Sequence, residues 1–256
     1  MIDRLAAINS RSRIGRLLRL PLMAIPAGFL MTIQKGPARG MRWVAGSATH
    51  GCWLGTYEVP KTRAIQRYVV AGMTVYDIGA HAGYYTLIFS RLVGPSGRVY
   101  AFEPFPKNVQ NLLRNLKVNA VANTQVVHAA LAQGGGLRGF SSELESHQNK
   151  LLGDGTGTLL VPTISIDEAV RLHGLSPPSL IKVDVEGAES LVLEGARQVI
   201  RDYRPIWFIA LHGDHQREMC WQFLEQAGYN VYGLDGALLS SVANAVEIFA
   251  LPARRS

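Results

Sequence analysis

The feature that most constrains the fold of this chain is a glycine turn that directly follows an apolar strand. Residues 75–83 read Val-Tyr-Asp-Ile-Gly-Ala-His-Ala-Gly, a buried-strand pattern that runs into a turn and then into a predicted helix. Gly79 and Gly83 let the backbone bend sharply and approach a ligand closely, which side chains would prevent. The segment therefore predicts the first strand and the binding turn of an α/β domain.

An acidic residue follows the next apolar strand. Glu103 comes after Ala-Phe at 101–102 and stands 26 residues beyond Asp77. A carboxylate at that place can accept both hydroxyls of a ribose, which nucleotides and adenosyl ligands share. A dinucleotide fingerprint would need glycine where His81 stands. A nicotinamide-dependent oxidoreductase is therefore the less favoured alternative.

The remaining pattern predicts the fold class. From Val69 onward, apolar segments of strand length alternate with amphipathic segments of helix length, which is typical of a parallel sheet with helices on both faces. A chain of 256 residues accommodates one such domain. We predict strands near 73–78, 98–102, 125–129, 179–184, 205–211, 229–233 and 246–251, and helices at 84–93, 106–119, 165–173, 187–200 and 214–227.

We divide the chain into three parts. Residues 1–42 form a basic and apolar N-terminal segment, and residues 43–68 form a small subdomain rich in Gly and Trp, with a linker helix. The main domain covers 69–256. It carries a glycine-rich insertion at 133–160, and long connections of this kind often line active sites.

Three segments together resemble the FkbM-type family of S-adenosylmethionine methyltransferases. They are residues 76–86, 97–104 and 181–189, and the last, Ile-Lys-Val-Asp-Val-Glu-Gly-Ala-Glu, is the most specific to the family. The resemblance covers about residues 50–230. It implies a Rossmann-like seven-stranded class I methyltransferase sheet, S-adenosylmethionine as the methyl donor, and most often a hydroxyl acceptor on a sugar or natural product. His81 stands where such proteins usually carry Asn, and Ala210 where an acidic residue is common.

Ligands of open α/β sheets bind beyond the carboxyl ends of the central strands. This rule and the resemblance together select the candidate cofactor-binding residues. One of them, Glu58, precedes the first long helix and is implied as a lid residue by the resemblance alone. The candidates are Glu58, Asp77, Gly79, His81, Gly83, Tyr84, Glu103, Pro104, His128, Ala129 and Asp184.

Methyl transfer to a hydroxyl requires an in-line acceptor and a group that takes its proton. Asp184 and Glu186 alternate at the end of an apolar strand and can face one cleft, where carboxylates would hold the sulfonium or orient the acceptor. His212 ends another strand, and a neutral imidazole is suited to act as general base. The alternatives are a core histidine and, for Glu186 and Glu189, charges that favour a helix N-terminus.

A metal site is the less favoured addition. Asp184, His212 and Asp214 offer oxygen and nitrogen ligands that would suit Mg²⁺ and lower the pKa of an acceptor hydroxyl. Asp214 is more simply explained as a helix cap. We therefore predict S-adenosylmethionine without a required metal. The two cysteines show no zinc-type or disulfide spacing, which indicates a reducing cytoplasm.

The distribution of charged residues along the chain helps to identify the class of partner that the protein binds. The net charge is +7, and its surplus lies in residues 1–42, since the remainder is neutral. This pattern is typical of peripheral contact with a membrane surface and equally of a solvated tail. It argues against a nucleic-acid partner, as does the lack of an Asn/Asp-Pro-Pro-aromatic run after the fourth strand. We predict a cytoplasmic enzyme with a sugar, glycan or other small-molecule acceptor; a catalytically silent adenosyl-binding module at a membrane is the alternative.

Overall fold

The structure is a computed structural model that describes residues 22, 24–141, 150–151 and 159–253. Its strands are β1 (Leu30–Thr32), β2 (Arg42–Val44), β3 (Thr74–Ile78), β4 (Arg98–Phe102), β5 (Thr124–Val127), β6 (Ala130–Leu131), β7 (Gly136–Ser141), β8 (Lys150–Leu151), β9 (Leu159–Ile164), β10 (Leu180–Val183), β11 (Ile206–Ala210), β12 (Tyr229–Tyr232) and β13 (Glu247–Pro252). The basic residues before 22 and most of the tip of the 133–160 insertion lie outside the described residues.

The central sheet has seven strands in the order β12-β13-β11-β10-β3-β4-β5. The seven strands that the sequence predicts are all present, which confirms the seven-stranded α/β fold. One strand departs from the parallel arrangement: β13 pairs antiparallel with both β11 and β12. Residues 233–246 contain no helix, and a parallel return would need such a crossover.

Helices cover both faces of this sheet. They are α1 (His50–Leu54), α2 (Val59–Gln66), α3 (Tyr84–Val93), α4 (Pro106–Val118), α5 (Ile166–Arg171), α6 (Glu189–Glu194), α7 (Arg197–Tyr203) and α8 (Asp214–Gln226). Alternate strand residues point to opposite faces, so Val75 of β3 packs in one core with α3 while Tyr76 packs in the other with α6 and α8. Burial on both sides explains why the strands read as apolar runs.

Contacts of nearby residues determine where α5 begins and where α6 ends. In the sequence, Ser165 followed three residues later by Glu168 predicts a capping box at the start of α5. The structure confirms it: the Ser165 hydroxyl accepts the Glu168 N–H at 3.0 Å, and Glu168 Oε2 accepts the Ser165 N–H at 2.7 Å. The single helix predicted over 187–200 is instead two helices. The Gly195 carbonyl between them accepts the Asp167 N–H at 2.9 Å, and a Cβ at Gly195 would lie 2.1 Å from the Ala132 carbonyl oxygen. Helix α6 ends at this point because the loop that contains Ala132 approaches Gly195 closely.

The segment before β3 packs against the main domain. Strands β1 and β2 form an antiparallel pair, and the Val44 N–H donates to Asn115 Oδ1 of α4 at 2.9 Å. Trp43 is fully buried in the same core as α3. Among the described residues, no helix combines the length and apolar character needed to cross a bilayer.

Candidate active site

A cavity of about 330 Å³ lies at the carboxyl ends of β3, β4 and β10. This is the edge of the sheet that the sequence predicts for ligand binding, and the volume falls within the range of small-molecule sites. Strand ends and glycine-turn backbone form its floor. Trp43, Tyr57 and Tyr84 add aromatic wall from the segment before β3 and from the start of α3.

The turn after β3 is fixed by its contact with β10. Gly79 has a φ of +73°, and a Cβ there would lie 1.9 Å from the Asp184 carbonyl oxygen. On the buried side of the turn, Nζ of Lys182 donates to the Gly79 carbonyl at 2.9 Å. The same Nζ lies 3.3 Å from Asp77 Oδ1. Asp77 also accepts the Thr86 hydroxyl at 2.6 Å. Asp77 and Lys182 therefore hold the turn in place.

Glu103 is buried in the cavity wall at the end of β4. Its Oε2 accepts the His81 N–H at 2.8 Å, and its Oε1 accepts the Phe105 N–H at 2.9 Å and the Asn108 amide at 3.3 Å. Burial raises the pKa of Glu103, and the two backbone N–H bonds oppose that rise. Because His81 contributes its backbone N–H, this contact does not depend on its side chain.

Three carboxylates surround His212 just beyond β11. Glu189 Oε1 lies 2.7 Å from its Nδ1, while Nε2 lies 3.8 Å from Asp184 Oδ1 and 3.5 Å from Glu186 Oε2. The hydrogen bond to Glu189 raises the pKa of His212 above its ordinary value, against partial burial, and the three negative charges add to the effect. The imidazole is thus well placed to take up a proton.

Asp184 joins this group to a buried lysine. The Nζ of Lys61 lies within ion-pair distance of three carboxylates: Glu247 at 2.7 Å, Asp184 at 3.1 Å and Glu58 at 3.2 Å. Burial acts to raise the pKa of Asp184, but Lys182 and Lys61 outweigh it and lower that pKa to about 2. Asp184 therefore stays ionised at the mouth of the cavity.

Of the predicted residues, those that line the cavity are Gly79, His81, Tyr84, Glu103, Pro104, Ala129, Asp184 and Glu186. The structure brings His212 to their edge through its contacts with Asp184 and Glu186. What these residues bind stays a prediction.

Four predicted cofactor residues are not among those that line the cavity. Asp77 is fully buried beneath the turn, and Gly83 is required where a Cβ would lie 2.4 Å from Leu112 Cδ1. His128 is exposed, with Nε2 3.1 Å from the Pro104 carbonyl oxygen. Glu58 directly precedes α2 and accepts the Tyr85 hydroxyl at 2.6 Å. The assignment of these four residues to the cofactor stays a prediction.

The less favoured Mg²⁺ set of Asp184, His212 and Asp214 differs from the group of side chains that the structure brings together. Asp214 is exposed and pairs with Arg217 of its own helix. Glu186 takes its place: one ligand atom each from Asp184, Glu186 and His212 lie within 4.8 Å of one another. This spacing suits a shared proton or a small cation.

Sequence reasoning missed Lys61, Lys182, Glu247 and the pairing of Glu189. Lys182 carries a signal, because it is a charged residue inside the apolar strand β10. Lys61 and Glu247 carry none, since they lie 186 positions apart and meet only when β13 pairs beside β11. In that pairing Glu247 stands opposite Ala210.

Comparison with known proteins agrees with this architecture. Residues 77–231 match the Methyltransferase FkbM domain. The hexuronic acid methyltransferase AglP of Haloferax volcanii is 27% identical over 133 residues, which is 50% of this chain and 51% of that protein. The protein-L-isoaspartate O-methyltransferase of Methanothrix thermoacetophila is 35% identical over 72 residues, 28% of this chain and 32% of that protein. The chain thus spans about half the length of AglP and 32% of the length of the protein-L-isoaspartate O-methyltransferase.

Two solved structures are similar at a remote level. The methyltransferase FkbM of Methylobacillus flagellatus KT has a TM-score of 0.49 at 18% identity and covers 70% of this chain and 43% of its own. Aeropyrum pernix fibrillarin, solved with natively bound S-adenosyl-L-methionine, has a TM-score of 0.45 at 17% identity and covers 72% of this chain and 68% of its own. The sequence match over residues 77–231 spans more than half of the chain, and the chain belongs to the FkbM methyltransferase domain family.

Proposed function

We propose that this protein is an S-adenosylmethionine-dependent O-methyltransferase whose acceptor is a hydroxyl of a sugar, a glycan or lipid-linked sugar, or a natural product. One observation carries the proposal: a cavity floored by the Gly79 turn and Glu103 opens beside a histidine that three carboxylates surround. The turn and Glu103 suit an adenosyl ligand. The histidine suits the removal of a proton from a hydroxyl.

The donor supplies an electrophilic methyl group on a cationic sulfonium. Residues of the chain provide a matching field, because Asp184 and Glu186 place two carboxylates at the cavity wall. Lys61 and Lys182 hold Asp184 in its ionised form. Fixed charges of this kind stabilise charge without the reorganisation that water would need.

His212 is the candidate general base. Its Nε2 lies near both Asp184 and Glu186, so a hydroxyl held between these groups and the methyl group can pass its proton to that nitrogen. The resulting imidazolium would be stabilised by the surrounding carboxylates. General-base catalysis by a positioned side chain contributes about 10²–10⁴-fold in rate. This route needs no metal, so we expect EDTA to leave the rate unchanged.

The acceptor class rests on two kinds of support. The similarity to AglP, whose name describes a hexuronic acid methyltransferase, favours a sugar. Tyr57, a half-buried aromatic residue of the cavity wall, offers flat apolar surface of the kind that packs against a sugar ring. A hydroxyl, with its high pKa, is the acceptor that needs the histidine base most.

The test is incubation of the purified chain with methyl-labelled donor and fractions of a cell extract, followed by mass spectrometry of labelled products. We expect label on a glycan, a lipid-linked sugar or a hydroxylated natural product, as an alkali-stable ether. Calorimetry with the donor alone runs in parallel. Donor binding without transfer to any fraction would favour a silent adenosyl-binding module, and failure to bind the donor would overturn the proposal.

A further inference from the structure

Glu189 differs from the other two carboxylates around His212, because it contacts Nδ1 while Asp184 and Glu186 lie near Nε2. It is the first residue of α6 and is fully buried. Its Oε1 lies 2.7 Å from His212 Nδ1 and accepts the Gly187 N–H at 3.0 Å. Its Oε2 has no hydrogen-bond partner, and among the residues that the structure describes its ion-pair partner is His212.

A role at the helix start does not explain this placement. A negative charge at a helix N-terminus is stabilising even when it is exposed to solvent, so this effect does not require burial. Burial of a carboxylate that has one oxygen without a hydrogen-bond partner is costly. Both buried lysines, Lys61 and Lys182, pair with other acids. Glu189 is therefore placed to serve His212.

The surrounding elements fix the geometry of the pair. His212 lies between β11 and α8, and Glu189 begins α6. The two helices are tied together where the Ser190 N–H donates to Gln216 Oε1 of α8 at 2.9 Å. Because both partners sit at the ends of packed elements, the contact between Glu189 and His212 is held by the fold.

The chemistry of the contact selects one tautomer. A carboxylate only accepts hydrogen bonds, so the proton between the two groups is donated by Nδ1 of His212. A neutral imidazole has one N–H and one lone pair, and the lone pair must then lie on Nε2. That nitrogen faces Asp184 at 3.8 Å and Glu186 at 3.5 Å, at the edge of the cavity.

We propose that Glu189 is a positioning residue: it holds the Nδ1–H of His212 and thereby directs the Nε2 lone pair to the acceptor hydroxyl. This inference rests on the proposed function and deepens it. In the transfer step the hydroxyl oxygen forms a bond to the methyl carbon, the carbon–sulfur bond breaks, and the hydroxyl proton moves to Nε2. His212, which is 31% exposed, later returns that proton to solvent.

The first test reads the tautomer without any acceptor. In the ¹⁵N-labelled full chain at alkaline pH, long-range ¹H–¹⁵N spectra report which ring nitrogen of His212 carries the proton, and a His212→Gln variant assigns the signals. We expect Nδ1–H and a bare Nε2 in the wild type, and a loss of that preference in Glu189→Leu. A wild-type imidazole protonated on Nε2 would overturn the inference, whether or not the chain transfers methyl groups.

The second test reads the rate, once the labelled-donor assay has supplied an acceptor. Glu189→Gln keeps the size of the side chain and removes its charge, and we expect kcat to fall by about 10²-fold with donor affinity unchanged. Glu194→Gln, on the same helix, is the matched control and should keep full activity. Glu189→Asp, which retains the carboxylate, should recover part of the loss. A Glu189→Gln variant with the kcat of the control would contradict a positioning role.

Discussion

Glu103 shows how a buried carboxylate can keep a place for a ligand. An ionised carboxylate offers about four acceptor positions, and three are filled by His81, Phe105 and Asn108. One position remains, on the oxygen that His81 contacts. We therefore expect one strong ribose hydrogen bond to Glu103, with a second hydroxyl competing with the longer contact from Asn108.

Loss of Glu103 should weaken donor binding. A hydrogen bond to a charged group contributes about 1.5–3 kcal/mol, so Glu103→Ala should raise the Kd for the donor by about 10- to 100-fold by calorimetry. Glu225→Ala, at an exposed site on α8, is the control. Because Glu103→Ala also leaves two loop N–H groups without an acceptor, Glu103→Gln provides a milder variant. Unchanged affinity in both variants would rule out the ribose assignment.

Asp184 should affect the chemical step more than donor binding. It lies beside His212 and is held ionised by Lys61 and Lys182, so its charge stabilises the imidazolium that forms when His212 takes the acceptor's proton. We expect Asp184→Ala to abolish transfer to the acceptor in the labelled-donor assay, with donor affinity within a few-fold of the wild type. A fully active variant would remove Asp184 from the mechanism.

For single residues, the sequence predicted which strand ends carry the candidate site better than it predicted the contacts of each side chain. Asp184, Glu186 and His212 follow from the rule that ligands bind at strand ends, and the structure brings them together. Asp77 satisfies the same rule but is buried beneath the turn. Asp77 is still within β3, opposite Lys182 of β10, whereas Asp184 follows the end of β10.

The turn between β3 and α3 is the element on which the cavity depends most. It approaches β10 so closely that Gly79 has no room for a side chain, and its φ is one that residues with a Cβ rarely adopt. Gly83 also has a φ that residues with a Cβ rarely adopt, +90°, and it packs against the Leu112 side chain of α4 rather than against backbone. Two glycines of one motif therefore serve two packing requirements.

Gly79→Ala should separate the turn from β10. We expect the free energy of unfolding in chemical denaturation to fall by about 2–4 kcal/mol, with loss of donor binding in the fraction that remains folded. Gly134→Ala is the control, since an added Cβ there meets nothing within 4 Å. Equal stability of the two variants would show that the turn tolerates a side chain.

Element types were predictable from the sequence because apolar periodicity and capping act locally. The strands were placed within two residues, and the Ser165 cap was identified from its spacing to Glu168. The direction of β13 and the break between α6 and α7 were not predictable. The first depends on a connection without a helix and the second on the approach of Ala132 to Gly195, and neither leaves a periodic signal.

For the molecule as a whole, the buried ion pairs make stability depend on pH. The pKa of Asp184 falls from 3.8 to about 2 on folding, so its ionised form favours the native state. That contribution, about 2 kcal/mol, is present above about pH 4 and is lost as the pH falls toward 2.

The difference in unfolding free energy between wild type and Asp184→Asn should therefore shrink on acidification through this range. Denaturation curves at a series of pH values measure it. Asp214→Asn, at an exposed carboxylate, is the control and should show no comparable trend. A difference between wild type and Asp184→Asn that stays constant down to the lowest pH would contradict the depressed pKa.

The place of β13 has a consequence for how the molecule can be divided. The family match ends at residue 231, yet β13 begins at Glu247 and lies between β11 and β12 in the sheet. A fragment trimmed to residues 77–231 would lose β13, an interior strand, and with it Glu247, which pairs with Lys61. Lys61 itself lies before the start of the match. Excision at those limits should yield an open, aggregation-prone sheet, because conserved family boundaries and the cooperative folding unit do not coincide here.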